Sequence, residues 1–522
     1  MVKNAKAIWG EDEEQNNRVK KEHLFISHSL VLIEEKMKQI IILLFLSLPL
    51  ISFAQDPRAF NHGTCIVKYR SNNAVKYYLT WSSSYNNGWE HDIYNSIIYF
   101  APNGDLMTAY PDQTYIGTGA DEAQEPVNSA INNSNNKILT VWEDGNANDA
   151  PNVRGQLHFA NGTIIKANWN IAGGLGSQHS ANTAHLGNKY LIFYADEAPP
   201  ATGGAVVKAK IIDDITGNET QSINFTSNDE DHWWPVSVSN TSNTRVLVVW
   251  GNDGYAARGT VLYQDGPSVM QTGTPQDYLT DIQQYYYQVE WLENISKFIL
   301  IARNGAYENI TDESKICLID TLGNLTNSTL VNGGIIREAK MSVKWNECNQ
   351  SYAIFYPSGI NSLTQIFIDP SGIIIPTSNQ MGNIPELSNM QWTSTGVWSE
   401  FVEDINGNDL FDNKYIALFV MNDVHSNNII KIPVQLDSSL FCLPLGVTDT
   451  NYSDFHIYPS PFTNSIIVPN EYINFEYQIF AINGQIIAKN TITKRELNLS
   501  FLNNGIYLIR IKGKIFKIIK MN

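Results

Sequence analysis

A strand-like apolar segment recurs seven times in the middle of the chain, each time ending at an aromatic or small residue. The copies end at Trp81, Trp142, Tyr194, Trp250, Ala302, Tyr356 and Val420. Consecutive ends lie 61, 52, 56, 52, 54 and 64 residues apart, a period typical of repeated supersecondary units. Because these segments are apolar at nearly every position, we expect strands buried on both faces.

A further strand follows most of the copies and ends at a turn that contains glycine. The glycines are Gly104, Gly162, Gly217, Gly266, Gly323 and Gly372. Glycine supplies the positive φ that a tight hairpin requires. An alternating strand before each copy and a short strand after each turn complete a four-stranded unit. Seven such units over residues 55–445 predict an all-β fold, a seven-bladed β-propeller whose radial packing covers the strand edges.

Charge and cysteine content exclude several classes of function. The 522-residue chain has a formal net charge of −17, which disfavours nucleic acid and anionic membranes as partners. Four cysteines lie far apart without C-x-x-C spacing, which disfavours a zinc or redox motif.

The N-terminus indicates the compartment. Met37 and Lys38 precede a short apolar run that ends in a small-x-small cleavage site, so residues 37–54 are predicted to be a secretory signal peptide and not a membrane span. Residues 1–36 are then interpreted as an upstream extension added by misannotation of the start. The alternative is a cytoplasmic tail on a signal anchor. Export permits disulfides, and a bridge between Cys65 and Cys442 would close the central region.

The last part of the chain, residues 446–522, forms a small all-β module by its alternation and turns. YPSPF at Tyr458–Phe462, a central NGQ and the closing LNNGIYLIRI…KIIK resemble the C-terminal type A sorting domain of the Bacteroidetes type IX secretion system. Ser460 stands where that family usually has Asn. The resemblance implies a small β-sandwich, a partnership with the type IX secretion machinery, and a secreted or outer-surface location. An ordinary accessory β-sandwich is the alternative.

Two acidic loops offer oxygen ligands for a hard cation such as calcium. Their D-x-N-x-N-D patterns place alternate oxygens on one tight loop, but both lack the Gly and Glu of an EF-hand. The same residue types also stabilise turns, which is the alternative interpretation. The candidate ligands are Asp144, Asn146, Asn148, Asp149, Asp404, Asn406, Asn408 and Asp409.

Histidines suggest a catalytic hypothesis. His158 lies on the third strand of the second unit and His179 at the start of the third, so both are expected near one mouth of the central channel. Tyr255 and Arg258 lie at the corresponding place in the fourth unit. Such a group can perform β-elimination on a uronate, with Arg binding the carboxylate and His or Tyr moving the proton.

The histidine pair and the seven-bladed interpretation together resemble the ulvan-type polysaccharide lyases. The pattern departs from that family because Tyr255 and Arg258 are only three residues apart. Tyr287 and Arg303 are better spaced but lie one unit further on, which leaves the acid and the carboxylate clamp unassigned. The aromatic clusters His232–Trp234 and Tyr285–Tyr287 suit either sugar stacking or core packing.

Two hypotheses for function follow. In the first, an exported propeller binds extracellular polysaccharide, and the histidine pair cleaves it. In the second, a non-catalytic propeller serves adhesion or protein interaction at the cell surface, in keeping with its acidic charge and generic repeat.

Overall fold

A computed structural model describes most of residues 64–521. The described ranges are 64–84, 91–110, 114–115, 127–145, 151–174, 176–197, 204–226, 232–252, 255–305, 311–346, 350–358, 362–382, 397–412, 414–422, 429–437, 462–481, 485–511 and 514–521. The extension and signal peptide predicted for residues 1–54 lie outside them. No helix among these ranges is long and apolar enough to cross a membrane.

The described residues from 64 to 437 form seven successive antiparallel sheets, numbered here in chain order. Sheet 1 contains β1 (Thr64–Ser71), β2 (Ala74–Ser84), β3 (His91–Phe100), β4 (Leu106–Thr108) and β5 (Thr114–Tyr115). Sheet 2 contains β6 (Val127–Asn132), β7 (Lys137–Asp144), β8 (Asn152–Phe159) and β9 (Ile164–Ala172). Sheet 3 contains β10 (Gln178–Leu186), β11 (Lys189–Asp196), β12 (Val206–Asp213) and β13 (Glu219–Asn224). Sheet 4 contains β14 (His232–Ser239), β15 (Val246–Asn252), β16 (Ala256–Asp265), β17 (Ser268–Gln271) and β18 (Gln276–Leu279).

The remaining three sheets follow the same up-and-down order. Sheet 5 contains β19 (Ile282–Leu292), β20 (Lys297–Asn304), β21 (Glu313–Ile319) and β22 (Leu325–Asn332), with a 3₁₀ turn at Glu293–Ile295. Sheet 6 contains β23 (Ser342–Asn346), β24 (Ser351–Pro357), β25 (Ser362–Ile368) and β26 (Ile374–Gly382). Sheet 7 contains β27 (Trp398–Val402), β28 (Lys414–Asn422) and β29 (Ile429–Asp437).

Each recurring apolar segment is the second strand of its sheet and is buried on both faces, as predicted. On β15, Val248 and Trp250 pack toward sheet 3, whereas Leu247 and Val249 pack toward sheet 5. Successive side chains of a strand point to opposite faces, so a strand enclosed by two neighbouring sheets must be apolar throughout. The aromatic residues that end these strands are buried: Trp81, Trp142, Tyr194, Trp250 and Tyr356.

The six glycine turns join the third strand to the fourth in sheets 1 to 6. Every one of these glycines has a positive φ: 87° at Gly104, 87° at Gly162, 67° at Gly217, 57° at Gly266, 89° at Gly323 and 81° at Gly372. The sequence-based expectation of left-handed backbone at this point of the repeat is confirmed.

Hydrophobic clusters join neighbouring sheets and also join the last sheet to the first. Tyr77 and Trp81 of sheet 1 share a buried cluster with Phe411 and Leu418 next to and within sheet 7. The backbone N–H of Ile405 donates to the carbonyl oxygen of Phe100 at 2.8 Å, and the carbonyl oxygen of Ile405 accepts from the N–H of Val75 at 2.9 Å. The series of sheets therefore closes on itself in a propeller-like arrangement.

The C-terminal part forms two small antiparallel sheets around one core. One pairs β30 (Ser465–Ile467) with β33 (Glu496–Asn498). The other has the order β32-β31-β34-β35, with β31 (Glu476–Ala481), β32 (Ile486–Thr491), β34 (Gly505–Ile511) and β35 (Lys514–Lys520). A 3₁₀ turn lies at Asn470–Tyr472. Both sheets contribute to one buried apolar cluster, for example through Ile466 and Ile509.

Candidate functional site

A cavity of about 350 Å³, called here the central cavity, is lined by the first strands of the sheets. Strands β1, β6, β10, β14, β19 and β27 all contribute to its wall. Because every sheet has the same up-and-down order, these first strands all begin at one end of the cavity, called here the mouth. The cavity lies within the range usual for small-molecule sites.

Three neighbouring first strands carry β-bulges near the mouth. The pairing register shifts between His179 and Asn182 on β10, between Trp233 and Val236 on β14, and between Ile282 and Tyr287 on β19. Bulges re-aim side chains and are common beside functional sites.

Two of these bulges hold a residue other than glycine in the left-handed region. Ser180 has a φ of 59° and Trp234 has a φ of 55°. For a side chain as bulky as Trp this conformation costs about 1–3 kcal/mol and persists only where the surroundings impose it. Both residues also line the central cavity.

Side chains from neighbouring sheets stabilise both strained positions. The hydroxyl oxygen of Tyr287 lies 2.6 Å from the carbonyl oxygen of Trp234 and 3.0 Å from that of Trp233, so its single proton can be donated to either. The carboxylate of Glu143 accepts a hydrogen bond from the backbone N–H of Ser180. Hydrogen bonds between sheets 2 and 3 and between sheets 4 and 5 therefore hold the backbone at the mouth.

His179 connects the bulges of sheets 3 and 4. Its ring stacks on that of Trp233, with the centroids 5.0 Å apart and the planes at 28°. Its Nε2 lies 3.3 Å from Glu197 Oε1, and its Nδ1 lies 2.9 Å from Ser180 Oγ. The hydrogen bond from His179 holds the pKa of Glu197 below its usual range. The mouth thus combines a half-buried indole with a polar group that can donate and accept hydrogen bonds.

His158 does not lie at the mouth, which corrects the expected pairing with His179. It pairs with Ile138 near the beginning of β7, whereas His179 pairs with Ala195 near the end of β11, so the two histidines occupy opposite ends of their sheets. The His158 side chain is 2% exposed. Its Nε2 lies 3.2 Å from the hydroxyl oxygen of Tyr78, and its Nδ1 donates to the carbonyl oxygen of Phe159 at 2.9 Å.

Tyr255 and Arg258 also have structural partners. Tyr255 has a φ of 55°, its backbone N–H donates to Asn252, and its carbonyl oxygen accepts from Ile282. Arg258 donates from Nε to Asp277 Oδ1 at 2.7 Å and from a terminal nitrogen to Oδ2 at 3.2 Å. Arg258, a candidate to bind a substrate carboxylate, is therefore engaged by a carboxylate of the chain itself.

The structure describes all four candidate ligands of the second calcium loop but only Asp144 of the first. Asp144 forms a 3.0 Å ion pair with Arg154, while Asn146, Asn148 and Asp149 lie outside the described residues. Asp404 Oδ1 accepts hydrogen bonds from the backbone N–H groups of Asn406 and Asn408, both at 2.8 Å.

The rest of the second loop is also internally bonded. Asn408 Nδ2 donates to Asp404 Oδ2 at 2.9 Å, and Asp409 pairs with Lys344. Among the described residues no group of three or more His, Cys, Asp or Glu side chains is arranged to hold a metal ion. In the second loop the acidic pattern therefore stabilises a turn.

The proposed ring-closing disulfide is not formed. Cys65 is a buried free thiol whose Sγ lies 3.6 Å from the carbonyl oxygen of Ser129. Burial raises the pKa of Cys65 to about 11. Cys442 lies outside the described residues. Sheets 1 and 7 are instead joined by the backbone bonds of Ile405 and by apolar packing.

Sequence reasoning missed the charged residues in the cavity wall. Glu290, Lys340 and Glu400 come from sheet 5, from the segment before sheet 6 and from sheet 7, and all three line the central cavity. The available signal for Glu290 and Glu400 was a charged residue on a first strand, whereas Lys340 precedes β23 and carried no such signal. Glu197 was missed as well, although it directly follows the end of β11.

Comparison with known proteins identifies the C-terminal part. Residues 456–521 match the secretion system C-terminal sorting domain family, as the sequence motifs predicted. The protein is accordingly secreted or located on the outer cell surface, and its export partner is the secretion machinery that reads this domain. No curated protein matches the chain.

Several solved structures show some similarity to the chain at low identity. The periplasmic gluconolactonase PpgL of Pseudomonas aeruginosa is 10% identical, with 69% of this chain and 97% of that chain covered and a TM-score of 0.40. AofleA of Arthrobotrys oligospora is 10% identical, covering 59% and 88%, with a TM-score of 0.33. A fucose-specific lectin from Aleuria aurantia is 9% identical, covering 62% and 98%, with a TM-score of 0.33. Similarities at this level have no bearing on what this chain binds.

Proposed function

We propose that this exported protein is a seven-bladed β-propeller that binds an extracellular polysaccharide at the mouth of its central cavity. In this proposal each of the seven sheets is one blade, and the two C-terminal sheets form the sorting sandwich. The observation that carries the proposal is the pair of adjacent indoles, Trp233 stacked on His179 and Trp234 held at positive φ, at one end of a cavity.

The chemistry of the mouth suits a sugar ring. An indole face covers the apolar C–H face of a pyranose, while neighbouring polar groups bond its hydroxyls. Below the mouth, the wall includes the polar residues Asn128, Asn182, Ser237 and Gln288, and the Ser237 hydroxyl donates to Asn182 Oδ1 at 2.5 Å. Such groups both donate and accept hydrogen bonds, as a polyhydroxylated ligand requires.

Binding is proposed without the lyase reaction. β-elimination needs a base and an acid around one sugar ring, together with a cation for its carboxylate. His158 is packed between sheets 1 and 2, and Arg258 is paired with Asp277. His179 is the histidine of the predicted set that lies at the mouth, and its Nε2 contacts Glu197, which the sequence did not single out.

A glycan array probed with the purified chain tests this proposal, followed by titration calorimetry on the sugars that bind. Trp233→Ala should weaken binding at least about tenfold, because a central indole commonly contributes 2 kcal/mol or more. Trp169→Ala is the matched control, since this half-buried Trp lies on the outer strand β9 beside Lys166.

Two results would contradict the proposal. One is silence across the array, which would favour adhesion to a protein partner. The other is binding that Trp169→Ala weakens as much as Trp233→Ala, which would move the binding surface away from the mouth.

A further inference from the structure

At the mouth, one histidine contacts a serine through one ring nitrogen and a glutamate through the other. His179 Nδ1 lies 2.9 Å from Ser180 Oγ, and His179 Nε2 lies 3.3 Å from Glu197 Oε1. His179 and Ser180 lie at the bulge of β10, and Glu197 directly follows β11. These three residues are called here the Ser180 triad. A serine, a histidine and a carboxylate bonded in series are the groups that acyl-transfer enzymes of unrelated folds use.

The ionised state of Glu197 determines which nitrogen of His179 carries the proton. The hydrogen bond from His179 lowers the pKa of Glu197, so at neutral pH the carboxylate can only accept. His179 Nε2 therefore donates to Glu197, and the neutral ring has its lone pair on Nδ1. That lone pair faces the hydroxyl group of Ser180 within the distance at which a general base removes a proton.

The two ring nitrogens have exchanged roles relative to the usual serine triad, in which Nε2 is the base. Either nitrogen is basic when the other carries the proton, so the exchange does not prevent His179 from acting as the base.

The backbone holds Ser180 in a strained conformation at the cavity wall. Its φ is 59°, and its N–H donates to the carboxylate of Glu143 on sheet 2. Ser180 is 5% exposed and lines the central cavity. Strain of this kind persists at functional sites, and a strained turn also presents the serine nucleophile in many hydrolases. The backbone bond to Glu143 leaves the hydroxyl group of Ser180 to His179.

The neighbouring serines of the cavity wall have hydroxyl groups bonded differently. The hydroxyl of Ser239 donates to the carbonyl oxygen of His185 at 2.7 Å, and that of Ser237 donates to Asn182 Oδ1 at 2.5 Å. Carbonyl oxygens are too weakly basic to take these protons. Among these three serines, only Ser180 therefore has a base beside its hydroxyl group.

Two asparagines in the cavity wall can donate to the oxyanion of an acyl-transfer step. Asn128 Oδ1 accepts from the backbone N–H of Thr183 at 3.2 Å, and Asn182 Oδ1 accepts from Ser237. Each side chain thus turns its oxygen toward the protein and keeps its NH2 group as a donor. Asn182 lies two residues after Ser180 on β10. Amide donors of this type stabilise the negative charge of a tetrahedral intermediate.

We propose that the Ser180 triad removes acyl groups from ester-substituted sugars that bind at the mouth. This inference rests on the function proposed above, because His179 stacks on Trp233, the indole proposed to cover the sugar ring. Sugar hydroxyls carry acyl groups as esters, and their release requires one proton, which His179 can return to the leaving oxygen.

The reaction is a two-step transfer of the acyl group to water. In the first step Ser180 Oγ bonds to the acyl carbon while His179 Nδ1 takes the hydroxyl proton. The bond from the acyl carbon to the sugar oxygen breaks, and that oxygen takes the proton from Nδ1. In the second step water bonds to the acyl carbon and gives a proton to Nδ1. Ser180 Oγ then leaves with that proton, and the carboxylic acid is released.

Glu197 acts through His179 and is a positioning residue. Its carboxylate fixes the tautomer and stabilises the imidazolium that forms in each step, without touching the substrate.

A fluorophosphonate probe, followed by mass spectrometry of the full chain, tests the inference. Such a probe phosphonylates an activated serine with loss of fluoride, so we expect one adduct, on the peptide that contains Ser180. The protein should also release acetate from p-nitrophenyl acetate and from chemically O-acetylated forms of the sugars that bind on the array.

Ser180→Gly is the decisive variant and Ser239→Ala is its control. Glycine suits a φ of 59°, so the change removes the hydroxyl group without adding strain. Ser180→Gly should abolish the adduct and lower kcat for acetate release at least about a thousandfold. Ser239→Ala should retain both. If Ser180→Gly does not fold, the position of the adduct in the unmodified protein decides the question.

Glu197→Gln tests the positioning role. It should lower kcat at least about tenfold and leave KM within about twofold, because the carboxylate acts in the transition state and not on the bound ester. Glu219→Gln is the control, since this carboxylate lies on the outer strand β13 of the same sheet and bonds Lys210 at 2.9 Å. An unchanged kcat in Glu197→Gln overturns the role given to Glu197.

Failure of this inference differs from failure of the proposed function. A folded protein that gives no adduct, or an adduct on another residue, overturns acyl transfer by Ser180 and leaves sugar binding standing. An adduct on Ser180 and turnover of p-nitrophenyl acetate, with no sugar bound on the array, overturns the proposed function and the sugar ester as substrate. Bound sugars whose acetylated forms lose no acetate also overturn the sugar ester as substrate.

Discussion

The hydroxyl oxygen of Tyr287 on sheet 5 lies 2.6 Å from the carbonyl oxygen of Trp234 on sheet 4, the residue held at a φ of 55°. Tyr287 is 1% exposed, so water cannot replace this hydrogen bond. One hydroxyl group therefore holds the backbone of Trp233 and Trp234 at the mouth. The geometry of the candidate site therefore depends on packing between sheets 4 and 5, which are consecutive in the chain.

Tyr287→Phe tests this dependence. The substitution keeps the ring but removes the hydroxyl proton that is donated to the carbonyl oxygen of Trp234 or Trp233, so we expect a loss of about 1–3 kcal/mol in the free energy of unfolding. Sugar affinity should fall as well, because Trp234 can then relax from its left-handed conformation. Urea unfolding and calorimetric titration measure the two effects.

Tyr263→Phe is the control for that experiment. Tyr263 lies on β16 of sheet 4, and its ring contacts Arg245, with 5.2 Å from the guanidinium carbon to the ring centroid. This change should stay within about 0.5 kcal/mol and leave affinity intact. If Tyr287→Phe proves as mild as Tyr263→Phe in both measurements, the hydroxyl does not support the mouth.

The repeat was predictable because its signals are local. An apolar run such as the one ending at Trp250 indicates a strand that is buried on both faces, and Gly266 indicates a turn that needs positive φ. The site could not be predicted in the same way. Glu290, Lys340 and Glu400 meet only because the sheets close around an axis, and their spacing in sequence carries no period.

The misplacement of His158 has a physical reason that was visible in the sequence. His158 lies four residues before the Gly162 turn, and such turns join the third and fourth strands at the end remote from the mouth. Two side chains on neighbouring sheets are therefore not necessarily close, since the distance of each from its turn decides which end of the sheet it occupies. By that criterion His179, which lies at the start of a first strand, belongs at the mouth end.

Asp404→Ala should destabilise the protein independently of calcium. The carboxylate of Asp404 accepts two backbone N–H bonds at 2.8 Å and one from the side chain of Asn408 at 2.9 Å. Loss of these bonds should lower the free energy of unfolding by about 1–2 kcal/mol. The difference between wild type and variant should be the same in calcium and in EDTA. A larger difference in calcium would show that the loop binds the ion.

Removal of residues 456–521 should prevent export. These residues match the sorting domain family and form a core of their own that includes Ile466 and Ile509. In a host with a type IX system, the truncated chain should remain with the cells while the full chain reaches the surface or the medium. Immunoblots of the cell and medium fractions measure the distribution. Normal release of the truncated chain would show that another part directs export.

His158 should make the stability of the protein depend on pH without taking part in binding. Burial lowers its pKa from 6.5 to about 4, so the folded chain resists protonation that the unfolded chain accepts. Above pH 6.5 the imidazole is neutral in both the folded and the unfolded chain. As the pH falls from 6.5 toward 4, only the unfolded chain takes up the proton, so the free energy of unfolding decreases. The decrease is about 3 kcal/mol, from 1.36 kcal/mol for each unit of pKa. Urea unfolding of wild type and His158→Gln across this interval should show a shallower decline in the variant. Sugar affinity of the folded variant should match that of the wild type, and a selective loss of affinity would return His158 to the binding site.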